Sequence, residues 1–442
     1  MNIAKGKEFR KILQVKLYKF INYLSVNLTE PERIFNKDMI TGILKSQSCT
    51  VRQAAISLEE NISVEKTTER LRNHLSKPQL GIELKSRLIK KSAKKINHDT
   101  IIAVDDSDIM KEYAKKMEGL HLVPDGSNGH KRGLGYKLMN IAGVNEKGEN
   151  DIEVLPLMSE LFSDKSEIDT SSNILYDQIN DIQIASKNKG IFTFDRYYDD
   201  KKLFKYLTEN DADYITRAKP SRKLYINGIY KDFIDVAKLV NLDIVIRVDG
   251  GGELEAGAIQ VEIPVNPHHR KVPETVKVWL IVARYLKKPK GMSKREKESE
   301  EKGGYFYLYV NIRHLNNDRK AIILKSIKGY KLRWKIEEFH RHVKKDFGWE
   351  DMQLMEYDRL KNMNILLLAA LTLIYSLYKY RFTLYQVFSS MMLDRERDKK
   401  KVVFIYYRIT KVVRYLLTSW RLRKRVKYKG KNTEYLQLRL SF

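Results

Sequence analysis

Short apolar segments alternate with helical patterns from about residue 100 onward, and this alternation constrains the fold more than any other feature. The run TIIAVDDS predicts a first strand, and GYKLMNIAGV and DIEVLPLMSELF predict two more strands around a turn at residues 145–148. Residues 171–187 predict a helix, 190–194 a strand, 201–209 a helix, and DYITRAK a further strand. The sequence therefore predicts a mixed α/β fold.

Three strands followed by helix, strand, helix and strand is the order of a ribonuclease-H-like core, which we place at residues 96–219 and 313–380. The intervening residues 220–312 hold runs such as VKVWLIVARYL and predict a β-rich insertion. Residues 1–95 predict a helical N-terminal domain, and residues 381–442 predict a basic helical C-terminal region. The predicted class is α/β, a ribonuclease-H-like core interrupted by the insertion and flanked by these two helical regions.

The net charge of +27 and the pI near 9.7 indicate a polyanionic partner. Basic residues are concentrated at the end of the chain, where residues 381–442 hold 17 Lys and Arg against 4 Asp and Glu. We expect nucleic acid as the partner before a membrane surface. The alternative is a chain from a generally basic proteome.

Cysteine and histidine usage excludes several kinds of site. Cys49 is the only cysteine, which excludes an internal disulfide or a cysteine-based zinc site within one chain. His268 and His269 lack zinc spacing and are expected at the surface. One cysteine and an N-terminus without an apolar core predict a cytoplasmic protein. The longest apolar run, Ile365–Tyr378, is short for a membrane span and predicts a buried helix.

The N-terminal region carries a helix-turn-helix pattern. Thr50 with Gln53 predicts a capping box at the start of one helix, and Ser63 predicts the cap of the next. Arg52 and Arg70 on these helices suit docking on DNA, so we expect this domain to bind DNA. A small helical domain without that role has the same pattern.

Residues 328–353 predict a helix with two distinct faces. At about 100° per residue, Tyr330, Arg333, Glu337 and Lys344 fall at roughly 0°, 300°, 340° and 320°, on one narrow face. A separate apolar stripe is formed by Leu332, Ile336, Phe339 and Val343. One carboxylate, two cations and a phenol on one face suit a site for metal and phosphate. A solvated charged face is the equally favoured alternative on this segment alone.

Two aspartates follow apolar strands, Asp105 in AVDDSDIMK and Asp195 in FTFDRYYDD. Carboxylates at neighbouring strand ends that face Glu337 offer the oxygen ligands that Mg²⁺ prefers. Two such ions about 4 Å apart can activate a water or a 3′-hydroxyl and stabilise the leaving oxygen. Asp106, and more weakly Asp108, competes with Asp105 for this role. Each aspartate alone is more typical of a turn or helix cap, whereas together with the helix face they favour a metal site.

The spacing Tyr-(2)-Arg-(3)-Glu-(6)-Lys, with Trp334 and the context IEEFH, resembles the Tyr-Arg-Glu-Lys signature of DDE transposases of the insertion sequence four family. Asp105-x-Ser107 is similar to the motif of the family's first acid, and Asp195-Arg196 is similar to that of its second. The resemblance runs from about residue 100 to residue 380.

The resemblance implies that Asp105, Asp195 and Glu337 are the catalytic residues and bind two Mg²⁺ ions, with Mn²⁺ as a substitute. It implies contacts with DNA phosphates for Tyr330, Arg333 and Lys344, with assistance from Arg217. Related enzymes stack a tryptophan of the insertion on a flipped base. Trp279 matches that context poorly and is expected as a buried strand residue.

The implied activity is cut-and-paste DNA transposition in a prokaryotic nucleoid. The implied partners are double-stranded DNA, as terminal inverted repeats and as target, and a second copy of the chain in a synaptic complex. A plain Mg²⁺-dependent nuclease is one alternative. A non-catalytic, domesticated DNA-binding protein is another, although the presence of all three acids argues against it.

Overall fold

The computed structural model describes residues 2–111, 113–125, 131–148, 151–163, 165, 171–248, 251–266, 273–288, 304–391 and 404–428. Helices precede the first strand: α1 (Asn2–Leu24), α2 (Glu30–Ser46), α3 (Val51–Leu58), α4 (Val64–Leu75) and α5 (Pro78–Ala93). His268 and His269 lie outside the described residues, as do residues 392–403 and 429–442 of the basic C-terminal region.

Strands and helices then alternate. They are β1 (Ile101–Met110), β2 (His121–Asp125), β3 (Lys131–Gly148), β4 (Asp151–Phe162), α6 (Ser171–Ser186), β5 (Ile191–Phe194), α7 (Lys201–Glu209) and β6 (Asp213–Arg217). A strand-rich part follows: β7 (Lys223–Ile226), β8 (Ile229–Asp232), α8 (Phe233–Lys238), β9 (Ile244–Val248), β10 (Gly252–Pro264), β11 (Thr275–Lys287) and β12 (Tyr305–Asn311). The last helices are α9 (Arg319–Arg333), α10 (Lys335–Arg341), α11 (Tyr357–Ser376), α12 (Arg381–Met391) and α13 (Tyr406–Tyr428).

One large mixed sheet joins these strands, which confirms the predicted mixed α/β class. Its first part has the order β4-β3-β1-β5-β6. β3 is antiparallel to β1 and β4, whereas β5 is parallel to β1 and β6 is parallel to β5. Parallel neighbours require a crossover, and α7 supplies it between β5 and β6. The turn predicted at residues 145–148 is wrong, because those residues continue β3.

The strands between residues 220 and 312 extend the same sheet. β12 pairs antiparallel with β6, so that Leu308 lies opposite Arg217, and β11 and β10 follow β12. The strand-like runs predicted in this range are therefore strands. Trp279 in β11 is half-buried, lies opposite Val310 and lines a cavity of about 330 Å³, so the expectation of a buried tryptophan is only partly met.

α11 is the buried helix that the sequence predicted for Ile365–Tyr378. It packs against β4, α5 and α2. Among the described residues, the helical stretch Tyr357–Ser389 has the length and composition to cross a membrane, and 89% of its apolar window is buried inside the protein. A buried helix of this kind is the central element of a packed interior.

The caps of α3 and α4 differ from each other. Ser63 caps α4, since its side chain accepts a hydrogen bond from the Lys66 backbone N–H, as predicted. The prediction of a capping box at Thr50 is wrong, because Thr50 makes no side-chain cap hydrogen bond.

Arg70 of α4 forms ion pairs with Asp38 at 3.0 Å and Glu60 at 2.7 Å, so its guanidinium holds helices together.

A π-helical turn at His342–Asp346 follows α10, and His342 anchors it in the interior. The imidazole is fully buried, with Nδ1 3.0 Å from the Tyr375 hydroxyl and Nε2 2.9 Å from the Thr410 hydroxyl. Burial lowers the pKa of His342 to about 3. Burial keeps the ring neutral in the folded chain, although the partly exposed Asp346 carboxylate lies 3.5 Å from Nε2.

We expect His342 to make stability fall in acid. The unfolded chain binds a proton at His342 below its ordinary pKa of 6.5, whereas the folded chain stays neutral until about pH 3. The free energy of unfolding should therefore be highest above pH 6.5 and decline between pH 6.5 and 3. Urea titrations of His342→Gln across this range should give a shallower decline than wild type. His98→Gln, at an exposed histidine, is the control, and an equal slope in both variants would contradict the assignment.

Candidate active site

The two aspartates lie at one edge of the sheet because the strands before them are parallel neighbours. β1 and β5 pair with Ala103 opposite Thr193, so Asp105 and Asp195 each follow two residues later. β6 runs parallel to β5 and ends at Arg217 on the same edge. The carboxyl ends of parallel strands are a common place for functional side chains.

Arg333, the last residue of α9, stands among the carboxylates. Its Nη1 is 3.8 Å from Asp105 Oδ2, and its Nη2 is 3.7 Å from Glu337 Oε1. Burial would lower the pKa of this guanidinium, but Asp105, with help from Asp195 and Glu337, raises it overall. Its Nε and Nη1 make no hydrogen bond within the described residues, so the group retains donors for an added oxygen.

Asp195 combines two roles that the sequence left as alternatives. Its Oδ1 accepts a hydrogen bond of 2.8 Å from the Tyr197 backbone N–H, which caps the turn Arg196–Tyr198. Burial, followed by the charge of Asp105, raises the pKa of Asp195, and Arg333 opposes the rise. Asp195 is therefore both a cap and a member of the acidic cluster.

Asp105 and Asp106 point to opposite faces of β1, as neighbours in a strand do. Asp105 faces α9 and α10, where Arg333 and Glu337 lie. Asp106 lies beside Tyr198 on the other face, and burial raises the pKa of its carboxyl to about 7. Only Asp105 shares a face with the helix that carries Glu337.

The predicted helix face is only partly correct. α9 and α10 meet at Trp334, which keeps helical angles, so Tyr330, Arg333 and Glu337 stay together. The Arg333 guanidinium lies 5.6 Å from the centre of the Tyr330 ring, and that of Arg217 lies 5.9 Å from it.

Lys344 lies in the π-helical turn, where the winding differs from the 100° per residue used for the predicted face. Its ammonium donates to the backbone carbonyl of Asp108 and stands 3.9 Å from Glu350. The side chain is 25% exposed, so it is not sealed from solvent.

Sequence reasoning gave no role to His340 or Asn140. Asn140 lies directly opposite Asp105 in β3 and donates from Nδ2 to His340 Nδ1 at 2.9 Å. With Nδ1 as acceptor, the ring proton is on Nε2, which lies 3.6 Å from Asp105 Oδ2. Both side chains are buried. A signal was present in the sequence, since His340 follows Glu337 by one helical turn.

Comparison with known protein families identifies the family to which the chain belongs. Residues 96–373 match the family described as "Transposase DDE domain". This chain belongs to the DDE transposase family. No curated protein matches the sequence of this transposase.

One solved structure is similar to the transposase over most of its length. It is described as "Cryo-EM structure of piggyBac transposase synaptic complex with hairpin DNA (SNHP)". The sequences are 11% identical, the TM-score is 0.44, and the match covers 98% of this chain and 83% of the other.

The acidic cluster has the donor chemistry for a divalent metal. Among the described residues, no group of three or more His, Cys, Asp and Glu side chains is arranged to share a metal ion. The cluster nevertheless offers the ligand type that hard cations prefer, because its donors are carboxylate oxygens. The negative charges of Asp105 and Asp195 also repel each other. In this conformation the Arg333 guanidinium balances their charge.

We expect Asp105→Asn to abolish DNA cleavage by the transposase and Asp106→Asn to preserve most of it. The reason is that Asp105 lies on the face of β1 toward Arg333, whereas Asp106 lies on the opposite face beside Tyr198. The two variants make the same chemical change one residue apart, so each controls for the other. Gel-based cleavage assays with matched amounts of folded protein measure the effect. Loss in Asp106→Asn with activity in Asp105→Asn would reverse the assignment.

We expect His340→Ala to cleave about 10- to 100-fold more slowly than wild type, the usual cost of losing a group that orients a metal ligand. The divalent ion concentration for half-maximal rate should rise, because His340 Nε2 faces Asp105. His340→Gln, which keeps an N–H donor, should recover part of the loss. Metal titrations of the initial rate test this, and an unchanged metal requirement in His340→Ala would refute it.

Proposed function

We propose that this transposase performs cut-and-paste DNA transposition. It hydrolyses a phosphodiester bond at each end of its element, frees a 3′-hydroxyl, and uses that hydroxyl to attack target DNA. The observation that carries the proposal is the convergence of Asp105, Asp195 and Glu337 on Arg333 at one edge of the sheet, in a chain of this family.

The three carboxylates would hold two divalent ions, Mg²⁺ or Mn²⁺, and this pair would supply activation of the attacking oxygen and stabilisation of the leaving oxygen. Arg333 offsets the repulsion among the carboxylates, since its guanidinium interacts electrostatically with all three. Its Nε and Nη1, which make no hydrogen bond within the described residues, then suit a phosphate oxygen.

The DNA-contacting residues are Tyr330, Arg333 and Lys344, with Arg217. Arg217 and Arg333 both lie against the Tyr330 ring, so the three form one unit beside the acids. Lys344 joins from the far end of β1, where the Asp108 carbonyl fixes its ammonium. These cations stabilise the negative charge that develops on the phosphate during cleavage.

The proposal assigns a region of the chain to each task. Residues 96–219 and 313–380 form the ribonuclease-H-like catalytic core, which the strand order β4-β3-β1-β5-β6 supports. Residues 220–312 are its insertion, residues 1–95 bind DNA, and residues 381–442 add sequence-independent phosphate contacts. We place the transposase in the insertion sequence four family, acting on prokaryotic nucleoid DNA as two protomers in a synaptic complex.

Strand transfer distinguishes a transposase from a plain nuclease. A labelled duplex that already carries the free 3′-hydroxyl of an element end is incubated with supercoiled plasmid, protein and Mg²⁺. The proposal expects the label to join the plasmid covalently, and expects no joining when the 3′ end is dideoxy. Plasmid cutting without label transfer would contradict the proposal and favour the nuclease.

A further inference from the structure

A cationic cavity of about 430 Å³ lies near the ends of β6 and β10, and none of its lining residues has a role in the proposed function. Five parts of the fold contribute to it: the start of α7, the connection from β6 to β7, the start of β7, β8, and the end of β10. Its lining consists of Lys201, Lys219, Ser221, Arg222, Lys223, Tyr230 and Pro264. A cleft of this volume is in the usual range for ligand sites.

The cavity carries a surplus of positive charge. Four of its lining residues are cationic. Two carboxylates pair with them: Asp199, which is fully buried and bonded to Arg222, and Asp232, whose Oδ1 lies 4.0 Å from Lys223 Nζ. Asp199 also accepts a hydrogen bond of 2.5 Å from the Lys219 backbone N–H. Within the described residues, Lys201 and Lys219 make no side-chain ion pair, so their ammonium groups are available to an anion.

Arg222 has an unused donor in this place. Its Nη2 bonds to Asp199, and its side chain is 13% exposed. Its Nε is buried and makes no hydrogen bond within the described part of the chain. Buried donors of this kind are normally satisfied, so the group is suited to an added acceptor.

Two short segments of the chain connect the cavity to the candidate active site. Asp199 follows Asp195 by four residues, through the turn Arg196–Tyr198. Lys219 follows Arg217 by two residues at the end of β6. Since β5 and β6 are parallel neighbours, both connections leave the same edge of the sheet.

We propose that this cavity binds a backbone phosphate of DNA next to the strand being cut. The inference rests on the proposed function and adds a second place at which the transposase holds DNA. Ammonium and guanidinium groups with the Ser221 and Tyr230 hydroxyls match the oxygens of a phosphodiester and would repel a metal cation. The phosphate belongs either to the element's own end or to other DNA.

Salt dependence of binding tests the proposal without requiring cleavage. Affinities for two duplexes, one from an element end and one unrelated, are measured in EDTA at several salt concentrations. Lys201→Gln with Lys219→Gln should reduce the magnitude of the slope of log affinity against log salt by about 0.9, since the cavity holds one phosphate and each phosphate contact contributes about 0.9. Lys201→Arg with Lys219→Arg should restore the slope.

The matched control removes two lysines from the opposite edge of the same sheet. Lys187→Gln with Lys189→Gln makes the same change in net charge just before β5 and should leave the slope unchanged. A reduced slope on both duplexes supports a sequence-independent contact, and reduction on the element end alone assigns the phosphate to that end. If the cavity variant and the control have equal slopes, the cavity is not a phosphate site. Failure of wild type to cut DNA would instead refute the proposed function, whatever the slopes.

Discussion

The transposase with Glu337→Gln is expected to bind DNA as wild type does and to cleave it about 10³-fold more slowly or not at all. Glu337 is the helical carboxylate that faces the strand-end acids, and its Oε1 lies 3.7 Å from Arg333 Nη2. The amide keeps the shape of the side chain but removes the negative charge that holds a divalent cation. Cleavage rates and DNA binding are measured on the same preparations.

Glu338→Gln is the matched control for this experiment. Glu338 is the next residue, but its carboxylate faces away, toward Arg341 at 2.9 Å and the Tyr407 hydroxyl at 3.1 Å. We expect cleavage within a few-fold of wild type in this variant. Equal losses in the two variants would mean that the helix needs its charge for folding and would remove Glu337 from the site.

Arg333→Met is expected to destabilise the folded transposase by about 3–5 kcal/mol at neutral pH. The substitution keeps an apolar stem but leaves Asp105, Asp195 and Glu337 without their shared cation. Thermal or urea unfolding measures the loss. The control is Arg341→Met on the next helix, an exposed arginine whose one ion pair within the described residues is with Glu338, and it should cost less than about 1 kcal/mol.

Two further measurements separate charge repulsion from lost packing in Arg333→Met. Uncompensated carboxylates have a raised pKa in the folded state, so this state binds more protons than the unfolded chain and gains stability as pH falls. The deficit of the variant should therefore shrink from pH 7 toward pH 5. Mg²⁺ should also stabilise the variant more than it stabilises wild type. A deficit that is insensitive to both pH and Mg²⁺ would show that Arg333 acts through packing alone.

Much of the acidic cluster follows from the sequence because it depends on local rules. Asp105 and Asp195 end strands that are parallel neighbours, and the ends of such strands meet at one edge. Tyr330, Arg333 and Glu337 lie within two turns of nearly regular helix, so their angular positions follow from the residue spacing.

Features that depend on distant contacts were not predictable in this way. The winding at Lys344 departs from a regular helix because of the π-helical turn, which His342 ties to Tyr375 and Thr410. The Asn140–His340 pair requires the register of β3 on β1 and the docking of α10, across 200 residues of sequence.

The choice between Asp105 and Asp106 and the pairing of the later strands also depend on packing between distant parts of the chain. Alternation along β1 separates Asp105 from Asp106, but which face meets α9 is decided by packing. The strands after residue 220 could be predicted from the sequence. The pairing of β12 with β6 could not, since the residue pattern of a strand does not determine which strand it pairs with.

The most direct test of the central claim is cleavage of an end-labelled duplex that spans the boundary between the element and its flanking DNA. Wild type is compared in Mg²⁺ and in EDTA. The account predicts a break at the boundary that leaves a 3′-hydroxyl, requires Mg²⁺ and is lost in EDTA. Tight binding of the boundary duplex without a break in Mg²⁺ or Mn²⁺ would contradict it, and would indicate a DNA-binding protein that retains the acidic cluster without the activity.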